Sequence, residues 1–311
     1  MDHIDVAIIG GGPAGLSAAL YAARARVRAV VFETGLPGGQ IVTTDHLDNY
    51  PGFVEGIAGA EIGRLMHEHA EKHGAEFRTF EPVEKLEPSG DDWKLTVEGE
   101  EFLAHTVILA TGAVPRKLGI PGETEYTGRG VSWCATCDGA LFRGKEVAVI
   151  GGGDAAAEEA QFLTRFCPTV HLIHRREELR ATKCIADACV AHEQIRMHWN
   201  RVPIEIRGED GKVSGVLMRA TNGEPDEFLP VSGVFEFIGV DAKSELARGV
   251  AELDERGFVK VDHLAQTSAP GLYAAGDVTD RPLKQVVTAA AQGAVAGFEA
   301  SRLVDSKTCT L

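Results

Sequence analysis

The sequence predicts an α/β protein built from two Rossmann-like, three-layer domains, with the second domain inserted into the first. Two observations carry this prediction. A β-strand, a glycine-rich turn and an alanine-rich helix follow one another near the N-terminus, and the same order returns in the middle of the chain. The chain has 311 residues, which is enough for two α/β domains with separate cores.

The first copy begins with an apolar run rich in β-branched residues, Ile4–Ile9, which is typical of a buried parallel strand. The glycine turn Gly10–Gly15 (GGGPAG) follows, and then an alanine-rich stretch without a helix breaker. The next strand, Ala29–Phe32, ends at Glu33. A glycine turn between a strand and a helix predicts a dinucleotide site, because it lets a pyrophosphate approach the helix N-terminus.

The second copy repeats this order. The strand Glu146–Ile150 leads into the turn Gly151–Ala156 (GGGDAA), followed by a helix that we expect to reach about residue 166. Its second strand, Thr169–Ile173, ends at His174. The interval from the first glycine to the residue at the strand end is 23 positions in both copies. Two equally spaced βαβ units predict two dinucleotide-binding domains.

The residues at the two strand ends favour different ligands. Glu33 supplies a carboxylate for the ribose hydroxyls of an unphosphorylated adenosine, as in FAD or NAD. The second copy continues as HRREELR, which places Arg175, Arg176 and Arg180 where a carboxylate would otherwise stand. Guanidinium groups pair with a dianionic 2′-phosphate. We therefore predict FAD in the first domain and NADPH in the second, although a solvated helix start is an alternative for Arg180 alone.

Three later segments predict how the chain completes its sheets. The run Thr106–Gly112 reads as a strand ending in small residues, and Phe235–Gly239 resembles it. Leu272–Val278 reads as another strand that ends in Gly-Asp, and Asp277 can bond to a ribityl or ribose hydroxyl. A helix over about residues 285–304 follows, with its N-terminus aimed back at the flavin.

This order predicts the domain limits. The FAD-binding domain is expected to comprise residues 1–115 and 242–311. The NADPH-binding domain, which carries the C-x-x-C motif, is expected over residues 116–241. The chain would cross between the domains near residues 113–117 and 239–243.

A C-x-x-C motif lies between the two glycine turns. Cys134 and Cys137 are spaced so that they can close a short disulfide over the first turn of a helix, and a helix N-terminus lowers a thiol pKa. Asp138 follows directly, where its carboxyl can carry a proton to and from a sulfur. We predict that this dithiol is the electron outlet of the protein.

Two other interpretations of the C-x-x-C motif are a zinc site and a thioredoxin fold. A zinc site needs four ligands, and Cys184 with Cys189 would be the second pair. Positions five apart on a helix point about 140° away from each other, so these two thiols converge only if the helix is broken. A thioredoxin fold needs its own strands around the motif, whereas these flanks belong to dinucleotide units. We therefore expect no metal.

Composition and charge exclude several classes of partner. The formal net charge of −15 argues against nucleic acids and anionic membranes, whose phosphates it would repel. No stretch reaches the length of a membrane-spanning helix, and the N-terminus lacks a secretory signal pattern. Six cysteines are too few for a disulfide framework. We therefore expect a cytoplasmic protein.

The chain resembles the low-molecular-weight, bacterial-type thioredoxin reductases, which are class II pyridine nucleotide-disulfide oxidoreductases. The resemblance covers essentially the whole chain and rests on the blocks GGGPAG, PGGQ, NYPG, ATG, CATCDG, GGGDAAAEEA, HRREELR and AGDV with KQVVTAA. It implies a flavoprotein that carries electrons from NADPH through FAD to thioredoxin or a thioredoxin-like protein. It also implies a homodimer and a rotation of the inserted domain between two steps of the reaction.

The resemblance implies roles for individual residues as well. Cys137 is the sulfur nearest the flavin and forms the charge-transfer contact, Cys134 attacks the disulfide of the partner, and Asp138 is the acid/base. The residues predicted to bind FAD are Gly10, Gly12, Pro13, Ala14, Gly15, Glu33, Thr34, Gly39, Gln40, Asn49, Val83, Ala110, Thr111, Gly112, Gly276, Asp277, Lys284, Gln285 and Val286. The residues predicted to bind NADPH are Gly151, Gly153, Asp154, Ala155, Ala156, His174, Arg175, Arg176, Arg180, Ile238 and Gly239.

Three residues need separate expectations. Asp154 lies in the second glycine turn, where an acid disfavours a pyrophosphate unless it caps the helix and faces away. Cys309 lies in a short polar tail and is expected to be an incidental free thiol. Trp133 is expected to be an apolar wall without a chemical role.

The residues leave other functions open. The same chemistry could serve a glutaredoxin-like or peroxiredoxin-linked carrier. A flavin-dependent dithiol oxidase would pass electrons to oxygen and would have no use for the arginine cluster. A ferredoxin/flavodoxin–NADP reductase of the same fold would lack the dithiol.

Overall fold

The computed structural model describes residues 2–44, 47 and 49–308. Contacts divide the chain into two compact units. Unit 1 comprises Met1–Val114 and Asp241–Leu311, and unit 2 comprises Pro115–Val240. In the sequence, unit 2 therefore interrupts unit 1. Cys309 lies outside the described residues.

The strands are β1 (Asp2–Ile9), β2 (Ala29–Glu33), β3 (Glu76–Thr79), β4 (Val83–Ser89), β5 (Asp92–Val97), β6 (Glu100–Leu109), β7 (Ala113–Pro115), β8 (Val131–Ser132), β9 (Val147–Gly151), β10 (Val170–Ile173), β11 (Ile195–His198), β12 (Arg201–Glu209), β13 (Lys212–Ala220), β14 (Glu227–Pro230), β15 (Gly233–Phe237), β16 (Val240–Ala242) and β17 (Leu272–Ala274). The α-helices are α1 (Pro13–Arg24), α2 (Gly59–Lys72), α3 (Ala135–Asp138), α4 (Asp154–Leu163), α5 (Lys183–Val190) and α6 (Val286–Thr308). Short 3-10 helices span Gly39–Thr43, Gly139–Phe142, Glu245–Ala247 and Gly276–Val278.

Unit 1 is built on a seven-stranded sheet with the order β3-β2-β1-β6-β5-β4, and β17 also pairs with β6. The strands β3, β2, β1, β6 and β17 are parallel, whereas β4, β5 and β6 form antiparallel hairpins. The carboxyl ends of the parallel strands meet at one edge of the sheet, which is the usual ligand-binding edge of such folds. The predicted FAD residues that follow β1, β2, β6 and β17 lie at this edge.

The helices α1 and α6 of unit 1 pack closely because two glycines of α6 face the α1 backbone. A Cβ atom at Gly293 would overlap the carbonyl of Ala14, and one at Gly297 would overlap the carbonyl of Ala18. Small residues thus set the distance between the helices. The core beneath them is rich in alanine and valine, and a second core on the opposite face contains Phe32, with Trp93, Leu95 and Phe102.

Unit 2 contains a parallel five-stranded sheet with the order β11-β10-β9-β15-β8. The strands β12, β13 and β14 form a separate antiparallel sheet. Helices α4 and α5 cover one apolar core, and a second core lies between the two sheets. The short strands β7 and β16, where the chain passes between the units, pair with each other.

The predicted order of strand, glycine turn, helix and strand is present in both units, but several limits differ. The helix after the second glycine turn ends at Leu163, three residues before the predicted end. The strand predicted to start at Thr106 begins at Glu100, because its first half pairs with β5 as a hairpin. The strand predicted to run to Val278 stops at Ala274, and a 3-10 helix follows. Gly276 has φ +78, which a continuing strand cannot adopt.

No helix among residues 2–44, 47 and 49–308 is long and apolar enough to cross a bilayer.

Candidate active site

The first glycine turn is shaped by backbone that leaves no room for side chains. Gly10 has φ +106, and a Cβ there would overlap the carbonyl of Ala110 at the end of β6. A Cβ at Gly15 would overlap the carbonyl of Gly10. Gly12 is the N-cap of α1, and no side chain caps it. The first-turn N–H groups of α1 are therefore not occupied by a capping side chain, which suits an anionic pyrophosphate.

Glu33, at the end of β2, presents an oriented carboxylate beside this turn. The backbone N–H of Gly11 donates to its Oε2 at 2.5 Å, and the N–H of Gly35 donates to its Oε1 at 3.0 Å. The hydroxyl of Thr34 also donates to Oε1, at 3.0 Å. These three donors fix the carboxylate, which still has lone pairs for the hydroxyls of a ribose.

Asp277 is the second acid at the carboxyl edge of this sheet. Burial raises the pKa of its carboxyl, and the Lys284 ammonium opposes the rise. Among the described residues, no hydrogen bond to this carboxyl is formed. Burial lowers the pKa of Lys284, which donates to the carbonyl of Thr279 and lies 4.4 Å from the Phe258 ring centroid. A ribityl hydroxyl would satisfy a partly buried carboxyl without a protein donor, so the residues fit a flavin.

Other predicted FAD residues form contacts that connect distant segments of unit 1. Gln40 donates to the carbonyl of Ala113, and the Thr111 hydroxyl donates to the carbonyl of Lys243 at 2.5 Å. The Asn49 amide donates to Gln285 at 3.0 Å. Val83 begins β4 and packs on the core, without a contact that marks it as a ligand-binding residue.

The second glycine turn has the same design in unit 2. A Cβ at Gly151 would lie 2.6 Å from Ala156 and from the carbonyl of Phe237. Gly153 is the N-cap of α4, has no side-chain cap, and faces open space. The residues therefore fit a second pyrophosphate at the N-terminus of α4. His174 lies against Gly152 and is buried, and burial lowers the pKa of its imidazole.

Three predicted NADPH residues form an exposed cationic group after β10. Arg175 and Arg176 line an open pocket together with Glu177, Glu178 and Asn200. The backbone N–H of Arg180 donates to the carbonyl of Gly152 at 2.6 Å, so its segment lies beside the glycine turn. In the part of the chain that the structure describes, none of the three guanidinium groups forms an ion pair. They are available to a phosphate. Ile238 and Gly239 follow β15, and Gly239 accepts from the Arg116 backbone at 2.9 Å.

The dithiol is present as a disulfide. Cys134 and Cys137 are bonded, with their Cα atoms 5.3 Å apart. Cys134 is the N-cap of α3, and the N–H of Cys137 lies 3.2 Å from the Cys134 sulfur. This hydrogen bond favours negative charge on Cys134, the sulfur predicted to attack the partner. The exposed hydroxyl of Thr136 lies 3.3 Å from the same sulfur.

Ser132 orients the carboxyl next to the dithiol and was missed by the sequence analysis. Its hydroxyl donates to Oδ2 of Asp138 at 2.6 Å, and the N–H of Cys134 donates to the same hydroxyl oxygen at 3.0 Å. Ser132 is buried at the end of β8, opposite Phe235 of β15. It thereby connects the acid/base candidate to the backbone of Cys134.

Comparison with known proteins decides the family. Residues 4–293 match the family described as pyridine nucleotide-disulphide oxidoreductase. The chain is 48% identical over 299 residues to a thioredoxin reductase of Mycolicibacterium smegmatis, which covers 96% of both chains. The chain belongs to the thioredoxin reductase family. The predicted resemblance is confirmed.

Two further thioredoxin reductases support this membership. The chain is 41% identical to one from Bacillus subtilis (strain 168), which covers 99% of this chain and 96% of the relative. The crystal structure of the thioredoxin reductase from Streptococcus pyogenes MGAS5005 superposes with a TM-score of 0.93 at 41% identity, covering 98% and 99% of the two chains. The predicted α/β class with Rossmann-like domains is confirmed by this likeness.

In this thioredoxin reductase family member, Trp133 does more than the sequence analysis predicted. It packs on the unit 2 core, but its indole N–H also donates to Oε2 of Glu236 at 3.1 Å. Glu236 is buried on β15, and the ammonium of Lys117 lies 6.0 Å from the Trp133 ring centroid. Burial, reinforced by the nearby Glu123 carboxyl, raises the pKa of Glu236 to about 8. The residue before Cys134 is therefore held by a buried carboxyl with a raised pKa.

Asp154 does not point freely at the predicted pyrophosphate. Its carboxylate accepts from the backbone N–H of Thr182 and from the Thr182 hydroxyl, the latter at 3.3 Å. The first residue of α4 is thus connected to the residue before α5. Glu159, further along α4, was missed by the sequence analysis. Burial raises its pKa, and its Oε2 has no partner among the described residues.

The remaining cysteines contradict the zinc interpretation. Cys184 is exposed and Cys189 is buried, although both lie on α5, so their thiols do not converge. The Cys134 and Cys137 sulfurs are bonded to each other. Burial raises the pKa values of Cys167 and Cys189 to about 11, so neither is a reactive thiolate at neutral pH.

Proposed function

We propose that this chain is an NADPH-dependent thioredoxin-disulfide reductase, in which electrons pass from NADPH through FAD and the Cys134–Cys137 pair to oxidised thioredoxin. One observation carries the proposal. The Cys134–Cys137 disulfide, with Asp138 oriented beside it, belongs to a chain with an uncapped glycine-turn helix in each unit. The thioredoxin reductases to which the chain is similar support the choice of partner.

The first glycine turn, Glu33 and Asp277 are proposed to hold FAD, together with the other predicted FAD residues at that sheet edge. The second glycine turn and the arginines after β10 are proposed to hold NADPH. When bound, these cofactors supply a hydride donor and a carrier that delivers an electron pair to the disulfide. The protein contributes the two phosphate sites, the oriented acids and the dithiol.

The dithiol chemistry is proposed to follow from the contacts of Cys134. After reduction, the Cys134 thiolate attacks the partner disulfide, forms a mixed disulfide and releases one partner thiolate. The Cys137 thiolate then attacks the Cys134 sulfur, which restores the internal disulfide and releases the second partner thiolate. The partner gains two electrons, and the pair loses two. Asp138, held by Ser132, is proposed to move the proton.

The choice of thioredoxin agrees with the energetics. The thioredoxin dithiol, at about −270 mV, lies at the reducing end of cellular carriers, so it needs a strong donor such as NADPH. We further propose that the protein acts in the cytoplasm as a homodimer.

A steady-state assay of NADPH oxidation tests the proposal. The protein is supplied with oxidised thioredoxin, glutaredoxin or peroxiredoxin, or with oxygen alone. We expect turnover with thioredoxin, and loss of that turnover in Cys134→Ser while NADPH still bleaches the flavin. The matched control is Cys184→Ser, an exposed cysteine remote in sequence from the dithiol, which should keep wild-type turnover. Turnover only with another carrier, or only with oxygen, would contradict the proposal.

A further inference from the structure

Two histidines and an aspartate converge on the interior strands β1, β6 and β5 of the unit 1 sheet. His3 lies on β1, Asp92 begins β5 and His105 lies on β6. Nε2 of His3 is 3.3 Å from Oδ2 of Asp92, and Nδ1 of His105 is 2.9 Å from Oδ1. One ligand atom from each residue lies within 4.8 Å of the other two.

Strand register places these side chains on one face of the sheet. His3 of β1 stands opposite Leu103 of β6, and His105 is two residues further along β6. Trp93 stands opposite Ala104, so Asp92, the residue before Trp93, points to the other face. That face carries His3 and His105. The cluster is therefore assembled from three paired strands, and the backbone fixes its spacing.

The donor set matches a borderline transition metal. Two imidazole nitrogens and a carboxylate oxygen favour Zn²⁺ over Mg²⁺ or Ca²⁺, which prefer oxygen ligands. Ligand atoms about 2.1 Å from a tetrahedral zinc lie about 3.4 Å apart. The 3.3 Å between His3 Nε2 and Asp92 Oδ2 is close to this spacing, and the 2.9 Å between His105 Nδ1 and Asp92 Oδ1 would lengthen when the ion binds. We propose that His3, Asp92 and His105 form a zinc-binding site.

Exposure and charge at the cluster suit such an ion. The side chains of His3, His105 and Asp92 are 42%, 31% and 24% exposed. This exposure gives an ion access from solvent and leaves room for water as a further ligand. The chain's net charge of −15 attracts cations. Without a metal, histidine–carboxylate hydrogen bonds and a contact between the two imidazole rings already hold the three side chains together.

The site joins the first strand of the chain to the β5–β6 hairpin. Zinc bound there would stabilise the folded state by mass action, because the unfolded chain does not hold the three ligands together. His3 lies seven residues before Gly10 on an extended strand, which is about 20 Å at the usual rise per residue. Zinc at this site is therefore expected to raise thermal stability and leave the dithiol chemistry unchanged.

Calorimetric titration with zinc chloride tests the proposal on the protein as purified, without a histidine tag. The protein is first treated with a chelator. Its dithiol is kept oxidised, and Cys184→Ser removes from every variant the thiol that is exposed among residues 2–44, 47 and 49–308. We expect one equivalent of zinc and a rise in Tm. His3→Gln and Asp92→Asn should each weaken zinc binding by more than about tenfold. The matched control is His263→Gln, an exposed histidine outside the cluster.

Each outcome decides the proposal. Equal zinc affinity in wild type, His3→Gln and His263→Gln would show that the zinc lies elsewhere and would overturn the assignment. Absence of zinc binding to the wild type would leave a hydrogen-bonded cluster alone and would also overturn it. His3 is exposed at the start of β1, so His3→Gln is expected to fold; unchanged Tm without zinc verifies this. None of these readouts depends on the proposed electron transfer.

Discussion

The strands β2 of unit 1 and β10 of unit 2 end in opposite ways. In unit 1, Glu33 follows as a carboxylate fixed by three donors. In unit 2, three arginines follow without an ion pair among the described residues. The same glycine turn and uncapped helix precede both ends. The comparison teaches that the backbone repeats one turn-and-helix geometry, and we propose that a few side chains at the strand end select the ligand of each unit.

Substitution of the arginine cluster is expected to have the largest effect on nucleotide binding. Arg175→Ala combined with Arg176→Ala should raise the KM for NADPH about 100-fold or more, because each charged hydrogen bond contributes about 1.5–3 kcal/mol. The KM for NADH should stay unchanged, since NADH lacks the 2′-phosphate. Steady-state kinetics with both nucleotides measures the ratio. Arg196→Ala, an exposed arginine on β11, is the matched control. A parallel rise for both nucleotides would refute phosphate selection by this cluster.

Glu33 offers the matching test in unit 1. Glu33→Gln should weaken FAD binding about tenfold or more, because a neutral amide forms weaker bonds with ribose hydroxyls than a carboxylate does. Fluorescence titration of the apoprotein with FAD measures the affinity. The affinity for NADPH should not change. The glutamate variant should therefore affect only FAD binding, and the arginine variant only NADPH binding. Glu55 is an exposed glutamate of unit 1, and Glu55→Gln should keep the wild-type affinity for FAD. An unaltered FAD affinity in Glu33→Gln would show that Glu33 does not contribute to the choice of FAD.

Ser132 lies beside the dithiol, a feature of unit 2 that has no counterpart in unit 1, and its substitution tests how Asp138 is oriented. Ser132→Ala removes the 2.6 Å bond to Asp138, and we expect turnover with thioredoxin to fall several-fold. The pH at which turnover is half-maximal should also shift, because the carboxyl loses a donor that stabilises its charged form. A pH profile of kcat separates this role from loss of packing. Ser132→Thr keeps the hydroxyl and should retain the wild-type profile.

Substitution of Glu236 is expected to have the smallest effect on turnover. Its carboxyl is buried, whereas the Glu33 carboxylate is held by three donors. The pKa of Glu236 is raised from 4.5 to about 8. Between these two pH values the carboxyl is protonated in the folded state and ionised in the unfolded state. Stability therefore falls as pH rises from about 4.5 to 8, on the order of 1 kcal/mol per pH unit, and the stabilising contribution is lost above the folded pKa. Glu123 and Lys117 are the charged groups that face it.

Glu236→Gln should remove this slope, because the amide does not titrate. Urea unfolding at pH 5 and pH 8.5 measures the difference, and the variant should gain stability relative to wild type at the higher pH. Glu205→Gln, on the surface of unit 2, is the control for a general charge effect. An identical pH dependence in wild type and Glu236→Gln would contradict a raised pKa.

Local patterns in the sequence predicted the parts of the site that depend on neighbouring residues. The glycine turns, the strand ends at Glu33 and His174 and the C-x-x-C spacing are short-range features, and the structure contains each of them. The roles of the predicted ligand residues stay predictions. Trp133 packs on the unit 2 core, as expected, but its hydrogen bond to Glu236 was not predicted, because this acceptor is more than a hundred positions away in the sequence.

Ser132 and Thr182 were missed because neither residue belongs to a motif. Ser132 bonds to Asp138 six positions later, on the far side of the dithiol, and Thr182 bonds to Asp154, 28 positions earlier in the chain. The cluster of His3, Asp92 and His105 depends on the register of three strands, which no local pattern encodes. The sequence by itself determined the two βαβ units, their contrasting strand ends and the dithiol. Tertiary structure alone decided which acids are fixed, buried or unpartnered, because burial and hydrogen bonding depend on residues distant in the chain.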